Sequence, residues 1–435
     1  MSQTTRILLA LALGLALGIL SASTGGEWVE DAILVAEPIG GLWLDALRMT
    51  IVPLIVSLLI TGIAASAEAA RANRLAGRAV ILFMVILWIS AIISALLMPL
   101  LLQLWPMPGE SAAALRSALT GASEKVGEIP TFGQFIRSIV PTNPISAAAN
   151  DQILPLMFFT AVFAFALTRL PEGPRATLTS VFRSIADVML VVINWVLWLA
   201  PIGVFALAYV VGAQAGTAAL GALFHYVVTV SLIGCVIWFL AWPLAVLGGR
   251  VGFLRFTRAI GPATAVAIST QSSLASLPAM LRGTEKLGIP VAASGVTLPL
   301  AVAIFRATGP AMNLAVAIYV AHWFGFELTP MMLVAGVAAA ATTTIGSVSL
   351  PGSITFITAI APICMAMGLP IEPLVVLLAV ETLPDIVRTT GNVAMDVAAT
   401  TAVTKRSGFT DAPLTQEDRL LQEAPIPATG TSPSS

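Results

Sequence analysis

The sequence predicts an all-α polytopic membrane protein, and three observations carry that expectation. Of 435 residues, 58% are hydrophobic and only 10% are charged, where a soluble domain carries about 25% charged residues. Apolar runs long enough to cross a bilayer, about 20 residues each, recur at 6–23, 41–66, 78–105, 152–169, 181–213 and 219–248. Beyond residue 250 this regular pattern gives way to apolar segments broken by Ser, Thr, Gly and Pro.

The first run follows a single arginine, Arg6, and resembles the apolar core of a signal peptide. No convincing small-residue cleavage site precedes a soluble domain, so it reads as a retained first transmembrane helix. Between the spans lie basic loops at Arg71, Arg74 and Arg78, at Arg169, Arg175 and Arg183, and at Arg250, Arg255 and Arg258. An acidic loop holds Glu27, Glu30, Asp31 and Glu37, and residues 106–150 are mixed. The positive-inside rule puts the N-terminus, the basic loops and Lys405–Arg406 in the cytoplasm, which places the chain in the cytoplasmic (inner) membrane as a multi-pass protein with both termini inside. Residues 407–435 are rich in Pro, Ser and Thr and read as a disordered tail.

Composition also excludes classes. A net charge of −1 gives no sign of nucleic-acid binding. Cys235 and Cys364 stand alone in apolar surroundings, so neither a disulfide framework nor a zinc site is expected. His225 and His322 are isolated and read as interface or pore-lining residues. No zincin, triad, phosphate-loop or nucleotide-binding signature is present, and no cofactor is expected.

Two broken segments stand out. STQSSLASLP (269–278) and TTTIGSVSLPGSIT (342–355) are too polar for ordinary spans, and RATGP (306–310) interrupts another apolar helix. Non-helical backbone at membrane depth survives only where protein or a water-filled cavity satisfies it. Paired interruptions of this kind point to the binding site of a secondary transporter; two kinked helices packed through Ser and Thr are the alternative.

A third feature is a polar stripe. Glu381, Asp385, Arg388, Asn392 and Asp396 are spaced by 4, 3, 4 and 4 residues, which at about 100° per residue places them within an arc of roughly 80°. An ionisable side chain at membrane depth costs about 2.5–3.5 kcal/mol on insertion scales, so it faces a cavity, a partner or an ion. A buried ion-pair ladder that only joins helices is the other reading.

Together these segments resemble the dicarboxylate/amino acid:cation symporter family, the glutamate/aspartate transporters. RMTIVPLIVSLLITGIA (48–64) is similar to the family's second helix, and APIGVFAL (200–207) to its fifth. STQSSLASLP and IGSVSLPGS (345–353) resemble the tips of its two re-entrant hairpins. The last helix fits its R-T-x-x-N-V-x-x-D pattern through Arg388, Thr389, Asn392, Val393 and Asp396. The resemblance spans residues 1 to about 406.

What it implies is a protomer of eight transmembrane helices and two re-entrant helical hairpins, in a homotrimer, working by an elevator mechanism. Residues 1–248 would hold six helices. Residues 249–406 would hold hairpin 1 (about 252–284), helix 7 (about 289–325), hairpin 2 (about 330–368) and helix 8 (about 370–405). The second, fourth and fifth helices would dominate the trimer scaffold, and the third, the sixth and the 249–406 core would form the moving transport domain. Arg388 would grip a substrate carboxylate through its planar fork. Asp385 would meet an ammonium group, which favours glutamate or aspartate over C4-dicarboxylates. Asn392 and Thr389 would add polar contacts, and Ser272 and Ser273, with amides near Leu350, Pro351, Gly352 and Ser353, would cap carboxylates. Asp396 would be the cation ligand where sodium is the coupling ion, with Asn392 and Glu381 also in the ion-coupling set.

The chain departs from the family at helix 7. Sodium-coupled members carry Asn-Met-Asp-Gly-Thr there, whereas this chain has Phe305, Arg306, Ala307, Thr308 and Gly309. In the third helix MVILWISA (84–91) leaves only Ser90 among the family's hydroxyls. Losing a carboxylate and gaining a guanidinium shifts buried charge by +2 relative to the family pattern. Three roles for Arg306 follow: a tethered cation that replaces bound ions, a structural partner of Asp396 or Asp385, or a second contact for a dicarboxylate. The expectation is a symporter for acidic amino acids with reduced sodium coupling and sodium or protons as coupling ion; a C4-dicarboxylate carrier or a proton-coupled or exchange carrier is the alternative. An anion channel fits less well, because the stripe pairs Asp with Arg instead of forming a single-sign ring. A membrane enzyme fits least, because Ser272 and Ser273 have no histidine nearby in the sequence to activate them.

Overall fold

Backbone polar groups in hydrocarbon must bond within their own segment, so an apolar chain of this kind folds into helices. The computed structural model describes residues 3–24, 26, 28–72, 74–107, 137, 139–150, 152–215, 218–346 and 352–407, and among them every regular element is helical. The 407–435 tail, apart from Ser407, and the second hairpin's tip residues Leu350 and Pro351 lie outside the described residues.

The N-terminal part contains α1 (Gln3–Thr24), α2 (Trp28–Ala72), α3 (Arg74–Leu104), the short α4 (Pro144–Ala149), α5 (Ile153–Leu167), α6 (Glu172–Trp198), α7 (Ala200–Ala215) and α8 (Ala218–Phe239). Two of these differ from the sequence expectation. The run at 41–66 is the middle of a 45-residue helix, α2. The run at 181–213 is two helices, not one, parted at Leu199. Pro201 supplies the reason: it has no N–H to return to the Leu197 carbonyl, and its ring crowds that carbonyl.

After α8 a π-helical turn, Leu244–Gly248, leads to α9 (Phe253–Thr270). Gln271 then adopts a left-handed conformation (φ 51°), and the Ser272 hydroxyl caps α10 (Ser273–Lys286) by accepting from the Ala275 N–H at 3.2 Å. With only two residues between them, α9 and α10 reverse direction and pack along one another. Next come α11 (Val291–Ile304) and α12 (Thr308–Phe324), parted at Phe305–Ala307. Pro310 explains that break, because a continuous helix would need its missing N–H to reach the Arg306 carbonyl; the Gly309 N–H bonds that carbonyl instead at 2.8 Å. The chain ends in α13 (Pro330–Gly346), α14 (Gly352–Ala366), α15 (Pro373–Val380) and α16 (Thr382–Ser407).

Among the described residues, five helical stretches are long and apolar enough to cross a membrane: 28–68, 74–104, 172–198, 220–248 and 291–324. Large apolar side chains such as Leu13, Leu20, Ile81, Leu96 and Trp195 are exposed on their outer faces, as lipid contact requires. The centre belongs to α12 and α16. Every residue from Thr308 to Ala321 is buried, as is every residue from Thr389 to Thr404. Around α12 pack α3, α8, α13, α14 and α16.

Hydroxyls on α3 hold the broken helix. Ser90 donates to the Ala307 carbonyl at 2.5 Å and Ser94 to the Ala311 carbonyl at 2.7 Å. The two rungs advance by four residues on both sides, so α3 and α12 run in the same direction. At one end of the molecule basic side chains gather: Arg78 on the Ser407 carbonyl, Arg406 on Gly248, Lys405 on Gly288 and Arg255 on Lys286.

Candidate functional site

The polar stripe lies where α16 begins and crosses α12. Glu381 sits in the turn between α15 and α16, and its carbonyl accepts the Asp385 N–H at 2.9 Å. Its carboxylate divides its bonds. One oxygen lies 2.5 Å from Nη1 of Arg388 and the other accepts from the Tyr226 hydroxyl at 2.7 Å. Asp385 approaches the same Nη1 at 3.3 Å. The guanidinium is thus held from one side by two carboxylates, while Nε and Nη2 meet no hydrogen-bond partner among the described residues. Its side chain is 12% exposed and that of Glu381 is 3% exposed. Breaking a buried pair of this kind by removing one partner costs about 3–5 kcal/mol.

One turn deeper, Asn392 ties α16 to the broken helix. Its Oδ1 accepts the Thr308 N–H at 2.9 Å and lies 2.8 Å from the Thr308 hydroxyl, which is also 2.9 Å from the Arg388 carbonyl. Gly391 permits this approach, since a Cβ there would stand 2.5 Å from Cγ2 of Thr308. Thr389 is buried beside Arg388.

Asp396 is deeper still and fully buried, and neither carboxylate oxygen has a hydrogen-bond partner among the described residues. The hydroxyls of Thr400 and Thr404, one and two turns on, are also unpartnered. Arg306, in the break before α12, forms no ion pair among the described residues, yet the charges that act on it are those of Asp385, Arg388 and Asp396. It is the charge that acts on Asp396. An orphaned carboxylate is what a hard cation takes, but among the described residues no three His, Cys, Asp or Glu side chains converge.

The structure therefore brings Glu381, Asp385, Arg388, Asn392 and Asp396 onto one face and sets Arg306 close to it. Ser272 stands at the tip of the α9–α10 pair, with its hydroxyl already accepting from Ala275, and Ser273 begins α10. The helix α10 packs on α16, but no hydrogen bond joins either serine to the stripe among the described residues. Gly352 and Ser353 open α14. Tyr226 and Thr308 are the partners that sequence reasoning did not place in the site. Tyr226 is 155 residues from Glu381, and only a residue's type, not its neighbour, is visible at that separation.

The model of the sodium:dicarboxylate symporter family matches residues 4–406. A proton/glutamate-aspartate symporter of Escherichia coli (strain K12) is 28% identical over 414 residues, covering 93% of this chain and 92% of that protein. A proton/sodium-glutamate symport protein of Bacillus caldotenax is 26% identical, covering 91% of this chain and 93% of the relative. A C4-dicarboxylate transport protein 2 of Pseudomonas paraeruginosa is 27% identical, covering 93% and 90%.

Proposed function

Because the chain belongs to the sodium:dicarboxylate symporter family, whose members are transporters and not enzymes, we propose that it carries acidic amino acids, glutamate or aspartate, across the cytoplasmic membrane. The observation that carries this reading is the Arg388 guanidinium, buried, charged, and engaged on one edge only. A substrate carboxylate fits the remaining Nε–Nη2 edge in a bidentate pair. Thr389 and Asn392 lie along the same helix to orient it, and the tip at Ser272–Ser273 closes over it. The relatives named for glutamate and aspartate symport support the substrate class.

Coupling follows from what already occupies Arg388. Glu381 holds Nη1 and draws on the same positive charge that the substrate meets at the Nε–Nη2 edge, so a proton on Glu381 leaves that charge to the substrate and binds in step with it. Asp396, with its orphaned oxygens, is the second station for a coupling ion. Arg306 supplies positive charge beside it, and an isolated buried carboxylate is costly without such charge. This arrangement reduces the need for sodium. A second reading, a C4-dicarboxylate carrier, is favoured by one observation: Asp385 lies 3.3 Å from Arg388 and is not wholly free for an ammonium group.

The gathering of basic side chains at one end supports a cytoplasmic position for that end and for both termini. Assembly as a homotrimer and movement of the 249–406 core as an elevator complete the reading.

Uptake of L-glutamate, L-aspartate and succinate into proteoliposomes tests it, with a proton gradient or a sodium gradient imposed in turn. The proton gradient should drive uptake and sodium should add little; steep multi-ion sodium dependence would refute the coupling. Arg306→Gln should make uptake responsive to sodium, and an unchanged ion requirement would remove Arg306 from the coupling set.

A further inference from the structure

His225 is buried at 2% exposure near the start of α8, and both of its ring nitrogens meet oxygen atoms. Nε2 lies 2.9 Å from the Trp105 carbonyl just beyond the end of α3, and Nδ1 lies 3.2 Å from the Tyr319 hydroxyl on α12. A carbonyl cannot donate, so Nε2 carries a proton in every state of the ring. The second contact is different. The Tyr319 hydroxyl is also 2.8 Å from the Ala222 carbonyl, and it has one proton for two acceptors. Directed at Nδ1, that proton satisfies a neutral imidazole. Directed at Ala222, it leaves the phenol oxygen to accept from a protonated Nδ1. The site therefore fits both charge states of histidine, and a hydroxyl rotation converts one to the other without moving a heavy atom.

This histidine is joined to the stripe. Tyr226, its neighbour in the chain, packs its ring edge-on against Tyr319, with centroids 5.3 Å apart at 70°, and the Tyr226 hydroxyl holds Glu381. Outward, the ring of Trp105 lies 4.6 Å from the imidazole, and Trp105 is 39% exposed. The other charged or titratable groups on elements packed against α8 are few. They are Asp385, Arg388, Asp396, Lys405 and Arg406 on α16, His322 on α12, Tyr209 on α7, and Arg74 and Arg78 at the far end of α3; α15 offers none.

We propose that His225, seated between the Trp105 carbonyl and the Tyr319 hydroxyl, is a proton-binding site of the transport cycle that shares one proton's charge with Glu381. A cation at His225 favours the carboxylate form of Glu381 and hence the closed pair with Arg388; discharge of His225 favours a proton on Glu381 and an open Arg388. The role extends the coupling reading given above and rests on it for the link to transport. His225 acts on substrate only through Glu381 and Arg388, which makes it a positioning residue.

The chain has two histidines, so selective ¹⁵N-histidine labelling of the purified full chain yields two sets of ring signals, assigned with His322→Gln. As the buffer is acidified, the His225 nitrogens should pass from the Nε2–H tautomer to the doubly protonated ring. A ring that stays neutral throughout overturns the proposal, whether or not the chain transports anything. In proteoliposomes, His225→Gln keeps a donor for Trp105 but holds no proton. It should bring the ratio of L-aspartate uptake at acid to neutral pH down to about one, where the unsubstituted protein should show a clear rise. Tyr319→Phe keeps the ring and removes the oxygen that accepts from the protonated Nδ1, so its profile should move the same way, toward alkaline pH, and it stands in should the His225 variant fail to fold. Profiles like the parent's in the folded variants would overturn the link to transport. Absence of L-aspartate uptake by the parent protein would instead refute the substrate reading and leave the titration as the deciding measurement.

Discussion

Two helix contacts in this molecule are built on opposite principles. Where α1 meets α7, the chain uses absence: Gly14 lies against the Phe205 carbonyl and Ala208, Gly18 against Gly212, and a Cβ on Gly18 would stand 2.3 Å from the Tyr209 carbonyl. Small residues spaced by four let backbones approach and gain dispersion contacts along their length, with no charge involved. Where α16 meets α12, the chain bonds Asn392 and the Arg388 carbonyl to Thr308 and buries Asp396 one turn further on. Nothing about helix adhesion requires that second contact, since the first achieves its packing more cheaply. In the proposed function the costly polar groups are concentrated where a substrate would bind and leave, and glycine serves where nothing needs to change. Even the polar contact borrows the other device once, at Gly391.

The comparison can be broken at its polar end first. Arg388→Ala removes the proposed substrate-carboxylate ligand and leaves Glu381 buried without its counter-charge. Loss of a buried, hydrogen-bonded charge partner costs about 2–5 kcal/mol, so acidic-substrate affinity should fall by about 30- to 4000-fold. Thermal-shift titration with L-aspartate measures this, and unchanged affinity would count decisively against the site. The dry contact should respond in stability alone. Gly18→Leu forces side-chain atoms into the Tyr209 backbone, and overpacking of this kind costs about 1–3 kcal/mol. The melting temperature in detergent should drop while the affinity of the remaining folded protein is preserved; a selective loss of affinity would erase the distinction between the contacts. The smallest effect belongs to Thr308→Val. It removes one hydroxyl bond to Asn392 but keeps the Thr308 N–H bond, a net loss of about 1 kcal/mol. A modest fall in both melting temperature and affinity would place that bond at the boundary between packing and binding.

Much of the second contact was visible in the sequence, and the first almost not at all. Five polar residues at helical spacing in an apolar chain can lie only on one face, so the 381–396 stripe was legible from charge and periodicity. So was the interruption at 306–310, because Pro310 has a fixed local consequence. The partners were not legible. Tyr226, Ser90 and Ser94 lie in helices remote in sequence, and a tyrosine or serine in an apolar run looks the same whether or not it meets a carboxylate. His225 read as an interface residue, and its two oxygen neighbours come from α3 and α12. The parting at Leu199 was missed because hydropathy is blind to a single proline inside a run that stays apolar on both sides.

The two serine rungs from α3 to the break at α12 have a mechanical consequence. Ser90 and Ser94 grip carbonyls four residues apart, Ala307 and Ala311, and two anchors along parallel axes resist both sliding and twisting. The ring of Phe83 stacked on Phe305 at 4.4 Å adds a third point of attachment. A displacement of α12 is therefore transmitted to α3 as through a rigid strut, and the span from Arg74 to Leu104 serves as a lever longer than the site it carries. Spin labels at the outer ends of α3 and α12 should keep one fixed separation while their distances to α1 and α7 change.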